Sequence, residues 1–523
     1  MTPLSPGHTP LTQHLHTLVA SIAATPWGQT SPSIYETGRL ISLARRLPGH
    51  TGRVTFLLQH QNRDGTWGLP DGYGLVPTLS AVDALLHQHH TTPSTPDHAR
   101  IAPAVNAGLP AADHLLRATR DLSTPDTPLR QLIVASLIAQ INRRLDGRAP
   151  HLAGPDVLSR PPGLPDPAAA TARTSTATLR KLAHGLEILG PAAARHRAIS
   201  PTAEGDIGAS PAATAAWLAD APDHEHPTSR RYLYRATGPH HGPAPCTTPI
   251  TSFERSWVLR EFLYAGIDTV DFDVLLSSLA AAAGPAGVAT ADGLPHDADT
   301  TSVTLYVLAA LQRYTAAGVL ADSLWIYHHN GHFRTWHDNE GGLSTTVNAH
   351  VLDALTTSPF QHPARRRRAA AARERLALLL VEQQHPDGCW NDRWHASPYY
   401  ATRCCALALR HCTDIPAAAA AVARSLDWII NTQRSDGTWG RWSGTAEETA
   451  YATQTLLLAR PVSRRARAAA ARAHQPLRAA LLDGQTPPPL WHDKDLYAPY
   501  AIVSAAVLSA LHLLAVASRR ASA

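Results

Sequence analysis

Gln433-Arg434-Ser435-Asp436-Gly437-Thr438-Trp439-Gly440 is the third copy of a short pattern. Gln61-Asn62-Arg63-Asp64-Gly65-Thr66-Trp67-Gly68 and Gln384-His385-Pro386-Asp387-Gly388-Cys389-Trp390 carry the same Gln, Asp-Gly and Trp at the same spacing. Self-similarity of this kind marks a repeat architecture. The later copies follow apolar helical stretches, Leu376 to Val381 and Leu426 to Ile430, and the last precedes another helix, Glu448 to Leu458. Asp-Gly supplies a tight turn, Gln can bond backbone at a neighbouring helix end, and Trp packs over the junction. The pattern reads as a structural staple, and none of its residues is a catalytic candidate.

Around the staples the chain is helical. Leu11 to Ala23 forms one helix, and residues from about 31 to 240 form an Ala-rich helical region interrupted by the Pro/Ala/Thr stretch from Arg160 to Thr178. The pattern is more regular from about 250 onward. No run of alternating strands occurs, so the class is all-α. At 523 residues and 44% hydrophobic content the chain can bury two sizeable cores and should fold unaided. A net charge of +5 with pI near 9.0 could suggest nucleic acid. The Arg residues are dispersed, however, and the dense run Arg365 to Arg368 lies in an Ala-rich helix as a solvated face. Lys occurs only at Lys181 and Lys494, a compositional skew towards Arg. The five cysteines lack paired spacing, which argues against a disulfide framework or zinc site. His89-His90, His240-His241 and His328-His329 fall in loop-like, exposed contexts. No basic region precedes an apolar run at the N-terminus, and no run of 18 uncharged apolar residues is expected to span a membrane. The cytoplasm is the expected location.

One segment concentrates chemistry: His296-Asp297-Ala298-Asp299-Thr300-Thr301-Ser302-Val303-Thr304-Leu305. It sets two carboxylates beside hydroxyls at the start of a helix. Thr301 or its neighbours can cap the apolar run through Tyr306 and Leu311, pointing Asp297 and Asp299 above the helix N-terminus. On the residues alone, an acid site and a solvated Asp-rich cap both stand. A phosphatase DxDxT site needs a buried strand before the first Asp, and the Gly- and Pro-containing lead-in Ala289 to His296 reads as a loop. The EF-hand spacing is absent.

These motifs resemble a known family. The Gln–Trp segments resemble the QW repeats of the squalene cyclase and terpene cyclase superfamily. Asp297-Ala298-Asp299-Thr300 resembles the Asp-x-Asp-Asp acid of class II terpene cyclases, with Thr300 in place of the last Asp. Ser31-Pro32-Ser33-Ile34-Tyr35-Glu36-Thr37 looks like the entry motif of class II diterpene cyclases. Ser252 to Leu259 resembles the helix that opens their acid-bearing domain. Ser344 to Leu352, Trp390 to Tyr400 and Trp491 to Pro499 follow in the family's order. The resemblance implies two α/α-barrel domains: residues 31–245 a γ-like barrel, 246–523 a β-like barrel with the acid, and 1–30 a helix returning onto the β-like domain, with the cavity between.

It also implies roles. Asp299 is the proton donor, Asp297 orients it, and Thr300 and Thr301 hold its conformation, because a carboxyl protonates an alkene only when neutral, dry and fixed. Carbocations call for aromatic faces and few bases. Trp257, Tyr306, Trp325, Tyr327, Phe333 and Tyr500 are candidates, with Trp336, Tyr399 and Tyr400 favoured by the match. His350 and Asn348 support the acid or place a water, or serve a helix end. No DDxxD metal motif of the ionising synthases occurs, so the product should keep its diphosphate. Arg393 and Lys494 are its expected anchors, with Arg144 or Arg148 assisting. Mg²⁺ is the expected cofactor; the acidic magnesium motif of relatives is reduced to Ser123-Thr124-Pro125-Asp126-Thr127, with Gln131 where bacterial members carry Glu, leaving Asp126 as the candidate ligand. The leading expectation is cyclisation of farnesyl diphosphate to drimenyl diphosphate, on the Thr300 variant. The alternative is geranylgeranyl diphosphate to a copalyl-type diphosphate, and a non-catalytic α/α-barrel binding protein is the reading from another class. The expected partner is a prenyl diphosphate, with neither nucleic acid nor stable membrane insertion.

Overall fold

All three staples close the same bonds. Gln61, Gln384 and Gln433 each donate from Nε2 to two carbonyls. One is in the turn (Gly65, Gly388, Gly437) and one is in the next outer helix (Ala104, Ala421, Ala469). The indoles of Trp67, Trp390 and Trp439 each donate at 2.7 Å to Leu57, Leu380 and Ile429, carbonyls in the last turn of the preceding helix. Their backbone N–H groups donate to Thr78, Thr402 and Thr449 on the following inner helix. Each motif thereby ties two outer helices to one inner helix. Gly437 must be glycine twice over: its φ is +86°, and a Cβ would meet the Arg472 carbonyl at 2.6 Å.

This computed structural model describes residues 10–522, except 92–97, 120, 122, 147–151, 167–175, 220, 223, 338–341, 359–361, 460 and 485. Six inner helices form a closed ring, Thr251–Ala265, Ala298–Ala310, Thr345–Thr357, Pro398–Leu409, Ala446–Leu458 and Tyr500–Ser522, each packed on the next and the last on the first. A second ring closes through Ile34–Leu43, Leu75–Thr91, Arg130–Leu145, Leu186–Leu189 and Pro211–Leu218. The first ring's core takes in Leu15, Val19 and Ile22 of the helix Pro10–Ala24, while residues between Ile34 and Ala213 build the other core.

The segments just ahead of the inner helices in one ring meet their counterparts in the other, so the rings face each other through their helix N-termini. Asp71 receives Arg441 and Trp442, Tyr73 bonds His492 at 2.8 Å, and Asp126 pairs with Arg393. The hairpin Trp491–His492 and Leu496–Tyr497 carries its turn, Asp493-Lys494-Asp495, into the smaller ring. There Asp495 Oδ2 accepts from Ser33 Oγ and Tyr35 N, capping Ile34–Leu43 from the other domain. His184 donates to Asp493 and to the Gly208 carbonyl.

Two expectations need correcting. The lead-in to the acids is not all loop: Val288–Ala289 and His296–Asp297 form a two-residue antiparallel ladder, though not the buried parallel strand of a phosphatase. Tyr500–Arg520 is also long and apolar enough to cross a membrane by length and composition. It is an inner ring helix flanked by Thr251–Ala265 and Ala446–Leu458, which explains an all-round apolar surface without lipid.

Candidate active site

Asp297, rather than Thr301, caps the helix Ala298–Ala310: its Oδ1 accepts from Thr300 N at 2.6 Å and its Oδ2 from Thr300 Oγ1 at 3.0 Å. The Thr301 hydroxyl donates to the Asp297 carbonyl at 2.5 Å and accepts from Val288 N. Asp299 follows in the first turn. Its side chain keeps 15% of its surface open, yet burial is the leading influence on its charge.

His350 Nδ1 stands 2.5 Å from Asp299 Oδ1, and His350 Nε2 stands 2.8 Å from Arg260 Nη1, with Cys404 Sγ at 3.3 Å. A guanidinium only donates, so Nε2 accepts and the imidazole proton sits on Nδ1. That proton goes to Asp299 Oδ1, which leaves Oδ2 to carry the proton of the neutral acid. Arg260 is itself held: it donates to Tyr264 OH at 2.8 and 3.0 Å, and Tyr264 donates to Asp353 at 2.5 Å. Burial first, and the Arg260 charge next, lower the His350 pKa, keeping the imidazole neutral.

Burial, reinforced by the charge of Asp392 and opposed by Arg260, pushes Asp299 up to about 8. Burial and the Asp299 charge bring Asp297 to about 8 as well, against the bonds from Thr300. The pair thus holds a proton at neutral pH, and its titration belongs to both groups together. Because the folded pKa lies above the unfolded value, the native state binds the extra proton. The associated stability is complete below about pH 4 and is lost as pH rises through about 8. Turnover should fall over the same alkaline limb, with an apparent pKa near 8; a kcat flat to pH 9.5 would remove Asp299 from the chemistry.

The wall beside the acid is aromatic. Trp257 donates from its indole to Tyr400 OH at 2.9 Å and sets its ring edge-on to His350 at 5.5 Å. Tyr400 packs on His395, Trp491 and Tyr451 at centroid distances of 4.5, 4.8 and 5.3 Å. Trp336 sets its ring against Trp394 at 5.3 Å, next to Thr335, whose carbonyl accepts Ala298 N. Tyr306 lies two turns below the acid against Tyr264.

Other expected residues stand elsewhere. Tyr399 turns outward onto Trp428 of the outer helix Pro416–Asn431. Asn348 spends its amide on the backbone of Phe333 and Ser344 and bonds neither Asp297 nor Asp299. Lys494 is no open anchor: its ammonium is fully buried between Glu36, Glu187, Ser210 and the His184 carbonyl. Arg144 pairs with Asp83 at 2.7 Å and contacts His87, all within the smaller ring. Arg148 lies outside the described residues. Of the remaining aromatic candidates, Trp325 and Phe333 pack on each other and Tyr327 bonds the Ala286 carbonyl. Tyr500 borders a cleft of about 290 Å³ against Pro10–Ala24, lined by none of the acid's neighbours.

Sequence reasoning missed Arg260, Asp392, Trp491 and Glu447. Arg260-Glu261 is a charged pair inside the otherwise apolar helix Trp257 to Tyr264, a signal that was there to be read. Asp392 accepts from Ser344, Thr346 and Trp394 N.

The comparisons with known proteins agree with this geometry. The profile of the squalene-hopene cyclase C-terminal domain matches residues 342–472. The chain is 41% identical over 499 residues to an ent-copalyl diphosphate synthase of a Streptomyces species, covering 94% of both proteins. It belongs to the class II terpene cyclases. The cyclase is also 40% identical over 515 residues to the labda-7,13-dienyl diphosphate synthase of Streptomyces clavuligerus, covering 95% of this chain and 92% of that protein. The ent-copalyl diphosphate synthase structure from Streptomyces platensis superposes on the cyclase with a TM-score of 0.84 at 38% identity, covering 97% of this chain and all of that one. The two facing α/α rings are thus the fold of this family, and protonation-initiated cyclisation is its chemistry.

Proposed function

We propose that the cyclase converts geranylgeranyl diphosphate to a bicyclic copalyl-type diphosphate, with Asp299 delivering the initiating proton. The observation that carries the mechanism is the Arg260–His350–Asp299 relay, which leaves the acid's proton on Oδ2. Oδ2 protonates the distal alkene, the two rings close against Trp257 and Tyr400, and a C–H proton leaves to form the olefin. Asp297 holds the backbone of Asp299 through Thr300. The farnesyl reading rested on Thr300 alone. Relatives aligned along nearly the whole chain are named for copalyl and labdadienyl products, and they outweigh one residue.

Arg393 is the proposed diphosphate anchor. It stands at the meeting of the rings, and the inner-helix N-termini around it favour an anion. Asp126, the candidate Mg²⁺ ligand, is half-exposed and pairs with Arg393 at 3.0 Å. No group of three or more metal-binding side chains occurs among the described residues. One carboxylate suits a Mg²⁺ that is coordinated chiefly by substrate phosphates. Such an ion would neutralise diphosphate charge.

Incubation with geranylgeranyl and farnesyl diphosphates, followed by mass spectrometry before and after phosphatase treatment, tests the reading. A C20 bicyclic product that keeps its diphosphate is expected. A drimane product would restore the C15 reading, and no product from either would refute a prenyl diphosphate substrate. Arg393→Ala should raise KM and lower kcat, since a displacement of about 1 Å can cost ~10²-fold. Asp126→Ala breaks the same interdomain pair while leaving the Arg393 side chain in place, and it is assayed at saturating Mg²⁺ because Asp126 is also the candidate metal ligand. Equal effects of the two variants would reduce Arg393 to an interdomain tie.

A further inference from the structure

Across the ring from the acid lies a carboxylate that the scheme above leaves unused. The helix Ala446–Leu458 is the fifth of the six inner helices and Ala298–Ala310 the second, so the two are opposite, and Glu447 sits in the first turn of one as Asp299 does in the other. Glu447 is completely buried. Its Oε1 receives three side chains: Trp491 Nε1 at 2.8 Å, Tyr451 OH at 3.1 Å and His395 Nε2 at 3.2 Å. His395 is a donor here, because its Nδ1 accepts from Ser397 N at 3.0 Å, which places the proton on Nε2. Oε1 is therefore filled as an acceptor, whereas Oε2 is buried with no protein partner. A buried carboxylate oxygen left open in this way calls for an explanation.

The surroundings of Glu447 supply one. His395, Tyr451 and Trp491 are the residues that pack on Tyr400, and Tyr400 bonds Trp257 and faces His350 at 6.4 Å. One continuous run of aromatic contacts joins the acid at one side of the ring to the buried, unpartnered oxygen at the other. The indole, phenol and imidazole that hold Oε1 also fix the carboxylate in place, which restrains it from swinging in to alkylate on a passing cation.

We propose that Glu447 Oε2 is the base that ends the reaction. This rests on the cyclase reading. The tertiary carbocation left by the second ring closure loses a proton from an adjacent carbon. The C–H bonding pair becomes the new C=C bond, and the proton forms an O–H bond on Oε2. Asp299 has given one proton and Glu447 has taken one, so the conversion is an isomerisation. On product release Glu447 returns its proton to solvent and Asp299 regains one. The positions of the two carboxylates then set which C–H lies nearest Oε2, and hence where the double bond forms.

Wild-type turnover of geranylgeranyl diphosphate is measured first; its failure would count against the substrate reading and not against the base. Given turnover, Glu447→Gln should slow substrate loss at least tenfold and divert product from a single olefin to water-captured, hydroxylated bicyclic diphosphate and isomeric olefins. Glu447→Asp, which keeps the carboxylate but draws it back by one methylene, should give an intermediate product ratio. Tyr399→Phe, which alters a ring turned outward onto Trp428, should keep the wild-type olefin. A wild-type product ratio with a rate within twofold in Glu447→Gln would overturn the proposal. If that variant does not fold by circular dichroism, an unchanged ratio in Glu447→Asp would overturn it equally.

Discussion

Asp299→Asn should leave a folded protein that no longer cyclises. The amide keeps an oxygen to accept the His350 Nδ1 proton and nearly the same volume, so packing in the first turn of Ala298–Ala310 is preserved. What it removes is the transferable proton on Oδ2. General-acid catalysis is worth ~10²–10⁴-fold, and protonating an unactivated alkene relies on it wholly, so kcat should fall to below about one per cent of wild type. The alkaline loss of stability traced to this group should shrink with it, since a raised-pKa carboxyl has left the interior. Thermal unfolding from pH 6 to 9 reads that second effect independently of activity. Retained turnover with a normal pH profile would end the assignment of Asp299. Asp297→Asn should be milder but still large, because it alters only how the donor is held.

Lys494→Met should have the largest effect on stability. The ammonium is the cation that Glu36 and Glu187 share in a space with no solvent. Burial already pushes Glu36 up to about 7 against the pull of Lys494, and removing the lysine leaves two buried carboxyls facing each other. Breaking a buried ion pair by deleting one partner costs ~3–5 kcal/mol, which corresponds to roughly 6–20 °C in Tm for domains of this size. Adding Glu187→Gln to Lys494→Met should recover part of the loss. A Tm within 2 °C of wild type would show that water reaches the cluster. The sign with pH is also fixed: Glu36 has a folded pKa above its ordinary value, so its contribution is complete at acid pH and fades as pH rises through about 7.

Local chemistry was readable and distant partnership was not. The backbone bonds of Gln433 follow from an Asp-Gly turn beside an amide donor, whereas the indole bond of Trp439 to Ile429 is an addition to the packing expected of it. Asp297 and Asp299 announced themselves because two acids before an apolar helix need a reason. By contrast, Lys494 meets Glu36 and Glu187 across more than three hundred positions of chain, and nothing beside Lys494 in sequence distinguishes a buried ion cluster from a substrate anchor. Tyr399 and Tyr400 are adjacent, yet one faces the outer helix and the other the ring interior. Which is which depends on the rotation of Pro398–Leu409, and that is set by neighbours on both sides. Glu447 was passed over for the same reason: it matters through the helix opposite, and opposition exists only once the ring has closed.

The core of the larger ring is assembled from two stretches of chain. Leu15, Val19 and Ile22 lie against it from one side of the smaller ring in sequence, and everything from Cys246 onward lies on the other. The smaller ring is therefore threaded as an insertion, and during synthesis it can complete its own core while the first helix waits for its partner. The six-helix ring cannot close until Tyr500–Ser522 has been made, since that helix is the one joining the fifth inner helix back to the first. Until then the inner helices already made keep their apolar faces open, so synthesis passes through a stage with a finished small domain and an unfinished large one.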